Sequence, residues 1–350
     1  MDSATLAPQQ AAQGSGRDRD PIKPWFQAAA QLGDHVGIRF GRIAPGKASP
    51  EWFYRSHADY DGIGGFAELL RNSGAKVDAL PTIPHTIKQT WGPFIRSLPE
   101  YLQPRDRVIW NRSFQVTATP IADCPPAAIA WYVFDEATTA RIKNHCRENG
   151  YTVNSFLLKN LSAAIFPDLA AKSKTIPWMV PVNLRGKVDR ERDTENHVSY
   201  VRVTVARDDD SSAVHAKIYD ALEKGAHWAN WNAYTALRFT PLAMKRGIIK
   251  IERATSQWLI GAFSNLGEWD KDRKLSGNGI DGDWLFTPPA MRFFKIASGC
   301  VTWRGRLSLC LQIHPQLSAN PGDARAWIDA WQELIQSDIG GDAERERIAQ

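Results

Sequence analysis

The sequence lacks any hydrophobic run long enough to span a membrane, and its N-terminus has neither the basic start nor the apolar centre of a secretory signal. Cysteine is scarce. The four present, Cys124, Cys146, Cys300 and Cys310, form no CxxC pair and have no histidine at metal-ligand spacing, which argues against a structural zinc and points to reduced, buried thiols in a cytoplasmic protein. Although the net charge is +5 and the pI about 9.0, there is no basic run. Dispersed charge of this kind leaves nucleic acid binding without support and mildly favours small anionic partners such as phosphorylated cofactors. No period of about 20–50 residues recurs, which excludes repeat architectures.

What is present describes a globular chain. Hydrophobic residues make up 43% and charged residues 23% of 350 positions, enough for one large domain or two subdomains sharing an interface. Fourteen tryptophans are unusual. They read either as core filler or as the lining of an apolar channel for a long substrate.

Residues 1–20 carry no hydrophobic periodicity and read as a disordered tail, with order beginning near Pro21. Alternation over 35–43 predicts a strand able to pair with the aromatic run that ends at His57. A helix beginning near Gly64 and capped by Gly74 follows, then a proline-punctuated crossover with a short helix over 87–102. Asp135 and Thr152 are N-caps of two successive helices, the first stopped by Gly150. The apolar stripe of the second, Val153, Phe156, Leu157, Leu161, Ala164 and Ile165, is core. A buried strand over 176–185 is followed by a charged loop and by a strand that sets Val201, Val203 and Val205 against Arg202 and Thr204. Asp210 or Ser211 starts another helix. Residues 258–263 read as a strand leading into Ser264 and Asn265, a hairpin turns at Arg304 and Gly305, and an amphipathic helix carries Trp327, Ile328, Trp331, Leu334 and Ile335 before a charged tail.

The stretch most able to carry chemistry is WFYRSHADYDGIGGFAELL, residues 52–70. It places His57 where a strand gives way to a loop. Gly62, Gly64 and Ala67 could be a dinucleotide-binding turn, but the preceding strand carries Arg55, His57 and Asp61 where a central parallel strand is apolar. A metal site at His57 and Asp61 lacks a third ligand. General-base catalysis uses the imidazole's ability to take up and return a proton near neutrality; a purely structural histidine is the remaining reading. His145 precedes Cys146, but adjacent helix positions point apart, so no nucleophile with a neighbouring base is evident.

HADYDGIGG resembles the HHxxxDG motif of the CoA-dependent acyltransferase superfamily, which contains chloramphenicol acetyltransferase, wax ester synthases, polyketide-associated acyltransferases and the condensation domains of nonribosomal peptide synthetases. Later segments fall in that family's order: DEATTARIKNHCRENGYTVNSFLLKNLSAAI, PVNLR, ENHVSYVRV, SNLG and GRLSLCLQIH. The resemblance covers about residues 50–340. It implies an α/β (α+β sandwich) fold of the chloramphenicol-acetyltransferase type, two subdomains with a channel at their interface. By position, His57 matches the catalytic histidine, Asp61 the structural aspartate, Gly62 the turn glycine and Arg185 an arginine that pairs with the aspartate. Asn196 matches the asparagine after the charged loop, and Ser264 and Asn265 match a segment of polar channel or oxyanion residues.

The resemblance also implies acyl transfer from a CoA or carrier-protein thioester to an alcohol or amine. The thioester is then a co-substrate, with no permanently bound cofactor and no metal. Two features depart from the family: Ser56 replaces its first histidine, and the region before the motif is shorter. The expected organisation is therefore a tail over 1–20, a reduced N-terminal subdomain over 21–130, a C-terminal subdomain over 131–340 and a charged tail over 341–350. The reduction would widen the acceptor side, require a carrier protein or second chain to complete it, or leave an inactive binding or scaffolding protein.

Overall fold

The computed structural model describes residues 20–34, 36–82, 91–93, 95–96, 108–116, 128–255, 259–292 and 294–349. Most of the helix expected over 87–102, together with Cys124 and Trp258, lies outside the described residues.

The first elements are a helix not anticipated from the sequence, α1 (Lys23–Gln31), and the hairpin β1 (Gly37–Ile43) and β2 (Glu51–Ser56). Asp20 starts α1 by accepting the Ile22 and Lys23 amides at 2.8 and 3.0 Å, and Pro24 occupies its first turn, where a missing N–H costs nothing. Helix α2 (Gly62–Asn72) begins two residues before the expected Gly64, because the Asp61 carboxylate caps it. Beyond the crossover come β3 (Ile129–Val133), α3 (Glu136–Glu148), α4 (Val153–Ile165), β4 (Thr175–Asn183) and β5 (Val198–Ala206). Asp135, Thr152 and Asp210 each cap a helix through the side chain, the last at the head of α5 (Ser211–Glu223). Then follow α6 (Ala226–Ala236), α7 (Leu242–Thr255), β6 (Gly261–Trp269), β7 (Asp283–Thr287), β8 (Ile296–Trp303), β9 (Arg306–Ile313) and α8 (Pro321–Ala349). The charged tail expected from residue 341 is helical through Ala349.

Among the described residues, nine strands form two sheets. A six-stranded sheet runs β3-β9-β8-β6-β4-β5 and a three-stranded one β2-β1-β7. In the larger, β4, β6 and β8 are parallel neighbours while the remaining pairs are antiparallel. The β8–β9 hairpin turns at Arg304 and Gly305 with φ of 49° and 83°, the left-handed pair that a two-residue turn needs. Since β7 comes from late in the chain and pairs with β1 near its start, the small sheet is stitched from both ends of the sequence.

Helices α3, α4, α5, α6 and α8 cover one face of the large sheet, where Phe156, Leu161, Trp178, Val203, Leu309 and Trp331 join the main core. The small sheet lies over the other side. Trp52 of β2 meets Trp131 of β3 edge-on at 6.2 Å, and Arg39 of β1 donates to Gln312 of β9. On its opposite face, Phe40 and Phe286 pack with α2. There Phe66 is fully buried, with Trp269, Trp284 and Trp303 at 4.9, 5.3 and 5.9 Å. Trp178, Trp228, Trp284, Trp303 and Trp331 are all fully buried, so these tryptophans are core. Phe66→Ala is expected to cost about 3–5 kcal/mol, read as a fall in the urea midpoint; an unchanged midpoint would show that this aromatic cluster does not hold α2 to the small sheet.

Candidate active site

His57 follows β2 directly, and its amide extends the hairpin ladder by donating to the Val36 carbonyl at 2.9 Å. The chain then doubles back through Tyr60 into α2. That reversal lets the His57 ring reach the backbone of its own loop: Nδ1 lies 2.8 Å from the Tyr60 carbonyl oxygen. A carbonyl only accepts, so Nδ1 carries the proton and Nε2 keeps its lone pair. The Asn196 amide donates to the His57 carbonyl at 2.9 Å. Its 3.3 Å approach to Nδ1 sets donor against donor and is a contact only. Burial of the ring pushes the His57 pKa below its ordinary 6.5, and the Tyr60 hydrogen bond and the Asp61 charge only partly oppose this.

Asp61 holds the loop to the rest of the molecule. One carboxylate oxygen accepts from the Gly64 amide at 2.8 Å and from Arg185 Nη2 at 2.7 Å; the other accepts from the His197 amide at 2.9 Å. Both charged side chains are almost wholly buried, at 4% exposure for Arg185 and 2% for Asp61. Arg185 also donates to the Asp193 and Glu195 carbonyls and to the Asn183 side chain, so the charged loop between β4 and β5 is wrapped around the guanidinium. The pair therefore joins the β2–α2 loop of the small sheet to the β4–β5 loop of the large one.

The glycines of this stretch belong to the first turn of α2 and not to a loop before it. A Cβ on Gly62 would lie 2.7 Å from Leu266 Cδ2, and one on Gly64 would run into the Thr194 carbonyl oxygen. The backbone of the β4–β5 loop thus requires glycine at position 64. Ser56, exposed beside His57, donates no bond to it; its hydroxyl accepts from the Ala58 amide at 3.2 Å.

Ser264 and Asn265 leave β6 on opposite faces. Asn265 donates to Asn154 at the start of α4 at 2.7 Å, while Ser264, buried, pairs with Gly299 of β8. Thus the structure brings His57, Asp61, Gly62, Arg185 and Asn196 together and sets Asn265 toward the helix layer. One contact was not legible in sequence: Phe26 of α1 covers the imidazole, with ring centroids 4.4 Å apart. Asp20 and Pro24 are a start signal for α1, but nothing local tells which loop the helix lies on. Lys23 and Asp59 add a 3.1 Å ion pair between α1 and the histidine loop.

Among the described residues, no cluster of three or more His, Cys, Asp or Glu could hold a metal. The described cysteines are buried and free. Burial pushes the Cys146 thiol up to about 12 and raises those of Cys300 and Cys310, so they stay protonated and are poor nucleophiles.

No protein-family model and no curated protein matches the sequence. Solved structures do match in three dimensions. The trichothecene 15-O-acetyltransferase of Fusarium sporotrichioides superposes with a TM-score of 0.53 at 10% identity, over 91% of this chain and 74% of its own. The cyclization-docking bidomain of the EpoB nonribosomal peptide synthetase from Sorangium cellulosum gives 0.52 at 11% identity, over 82% of this chain and 59% of its own. The fold is that of chloramphenicol acetyltransferase and the condensation domains. At these identities the likeness speaks for the fold alone.

Losing one partner of a buried pair strands the other charge, so Asp61→Ala is expected to destabilise the protein by about 3–5 kcal/mol. Asp61→Leu combined with Arg185→Met should cost less than the two changes summed. Additive losses in urea denaturation would mean that the two groups do not depend on each other.

Proposed function

We propose that the protein is an acyltransferase that moves an acyl group from a thioester to an alcohol or amine, with His57 as general base. The observation that carries this reading is the state of the ring. Tyr60 holds the proton on Nδ1, burial favours the neutral form, and Nε2 has no partner among the described residues.

In this mechanism Nε2 takes the proton from the acceptor O–H or N–H as its lone pair attacks the thioester carbonyl carbon. The tetrahedral intermediate then collapses, the C–S bond breaks, and the departing thiolate recovers the proton from Nε2. Asp61 never touches substrate; through the α2 cap and Arg185 it fixes the direction in which the imidazole points. Asn196 does the same through the His57 carbonyl. An oxyanion donor is also required, and Ser264 suits this better than Asn265, which has an amide hydrogen committed to Asn154. The acyl donor is coenzyme A or a carrier protein, consistent with the excess of basic residues. No acyl-enzyme step is invoked, since the buried cysteines remain protonated.

A second reading, a binding protein that keeps the fold without turnover, draws on Phe26, which covers His57 at 4.4 Å. Thiol release from a panel of acyl-CoAs with alcohol and amine acceptors separates the two. Under the first reading His57→Ala lowers the rate by about 10²–10⁴; an unchanged rate removes the base assignment, and no turnover by the native protein favours binding.

The pH dependence has a definite sign. Since folding lowers the His57 pKa, the base is free at neutral pH and the acidic limb of kcat/KM should fall below pH 6.5. Protonation on acidification likewise favours the unfolded chain, so the stability present above 6.5 is lost as pH falls from 6.5 through the lower folded value. A limb centred above 6.5 would contradict this.

A further inference from the structure

The corner between α6 and α7, residues 236–244, places large apolar side chains in water. Phe239 is 77% exposed, Met244 59% and Leu237 37%, and Ala236, Pro241 and Ala243 beside them are also exposed. Single exposed apolar residues need no explanation, but a contiguous group at a protruding tip does.

Charge along the segment that forms the tip is of one sign. From residue 224 to residue 251 the sequence contains no aspartate or glutamate, while Arg238 and Lys250 are exposed and Arg246 is partly so. The Arg238 guanidinium lies 4.5 Å over the Phe239 ring, placing a cation on the flank of the most exposed apolar group.

The shape of the corner is held from within. Lys245 has no exposure, and its ammonium donates to the carbonyls of Leu237, Arg238 and Thr240. These carbonyls lie at and just beyond the C-terminus of α6, where a cation is favoured. The same ammonium lies 5.5 Å from the Trp25 ring of α1. A buried lysine thus fixes the loop with Phe239 turned outward.

We propose that this corner docks the protein on an anionic lipid bilayer. Phe239, Met244 and Leu237 enter the headgroup region, and Arg238, Arg246 and Lys250 meet the lipid phosphates. Charge complementarity selects this occupant. A second copy of the chain would set the same basic groups against each other across a two-fold contact, whereas a deformable anionic surface accepts both the protruding apolar tip and its basic flank. No described helix is long and apolar enough to cross a membrane, so the attachment is peripheral. The inference concerns binding alone and does not depend on the acyl-transfer reading.

Sedimentation of the full chain with phosphatidylcholine vesicles, with and without phosphatidylglycerol, tests it. The protein is expected to bind the vesicles containing phosphatidylglycerol, less so as salt is added. Phe239→Asp together with Met244→Asp should lower partitioning by about tenfold or more, and Arg238→Gln with Lys250→Gln by a comparable factor, all with unchanged circular dichroism and Tm. Absence of binding to the phosphatidylglycerol vesicles would overturn the proposal, as would equal binding by the aspartate variants. So would a dimer in analytical ultracentrifugation that Phe239→Asp abolishes, because the tip would then be covered by a second copy.

Discussion

Asp61 and Arg185 form a buried ion pair 124 residues apart in the chain, and most of the candidate site is arranged around it. Removing two charges from water is expensive, and Coulomb attraction alone seldom repays the cost. Here the repayment comes from hydrogen bonds: the carboxylate accepts from two backbone amides besides the guanidinium, and the guanidinium donates to two carbonyls and an asparagine. Four of these bonds go to backbone, two from the carboxylate and two from the guanidinium. The pair therefore fixes where α2 begins, how the β4–β5 loop folds and which way the β2–α2 loop presents its histidine.

The histidine is prepared by a simpler constraint. A loop short enough to bring the Tyr60 carbonyl under the ring decides the tautomer, and the packing of α1 decides how much water the ring sees. Phe26 withdraws solvent on one side, which lowers basicity but keeps the lone pair free at neutral pH. Helix α1 rests in turn against α7 and reaches the Lys245 ammonium through Trp25, so the cover over His57 and the corner at Phe239 belong to one packed unit.

Much of the fold was legible because its signals are local. The caps Asp135, Thr152 and Asp210, the alternation of Val201, Val203 and Val205, the Arg304–Gly305 turn and the stripe of α4 depend on neighbours in sequence, and each lies where periodicity and capping chemistry put it. The boundaries that moved did so for tertiary reasons. Gly62 read as a turn before a helix beginning near Gly64, yet it opens the helix, since Asp61 caps it there and the β4–β5 loop approaches too closely for any side chain at Gly64. Helices α6 and α7 gave no reading from sequence, because α6 buries His227, Trp228, Trp231 and Asn232 without a clean apolar stripe.

By itself the sequence determined the elements with strong local signals, the chemistry available at His57, and a motif order resembling one superfamily. These follow from residue type and spacing. Only the tertiary structure decided that β7 closes a sheet begun far earlier in the chain at β1, that Asn196 holds the His57 backbone, that Asn265 turns away toward Asn154 and that Phe26 covers the imidazole. Each of these is a contact between segments distant in sequence. No local propensity encodes such contacts; they arise when two sheets and their helices find the one packing that buries the aromatic core and satisfies the buried charges together.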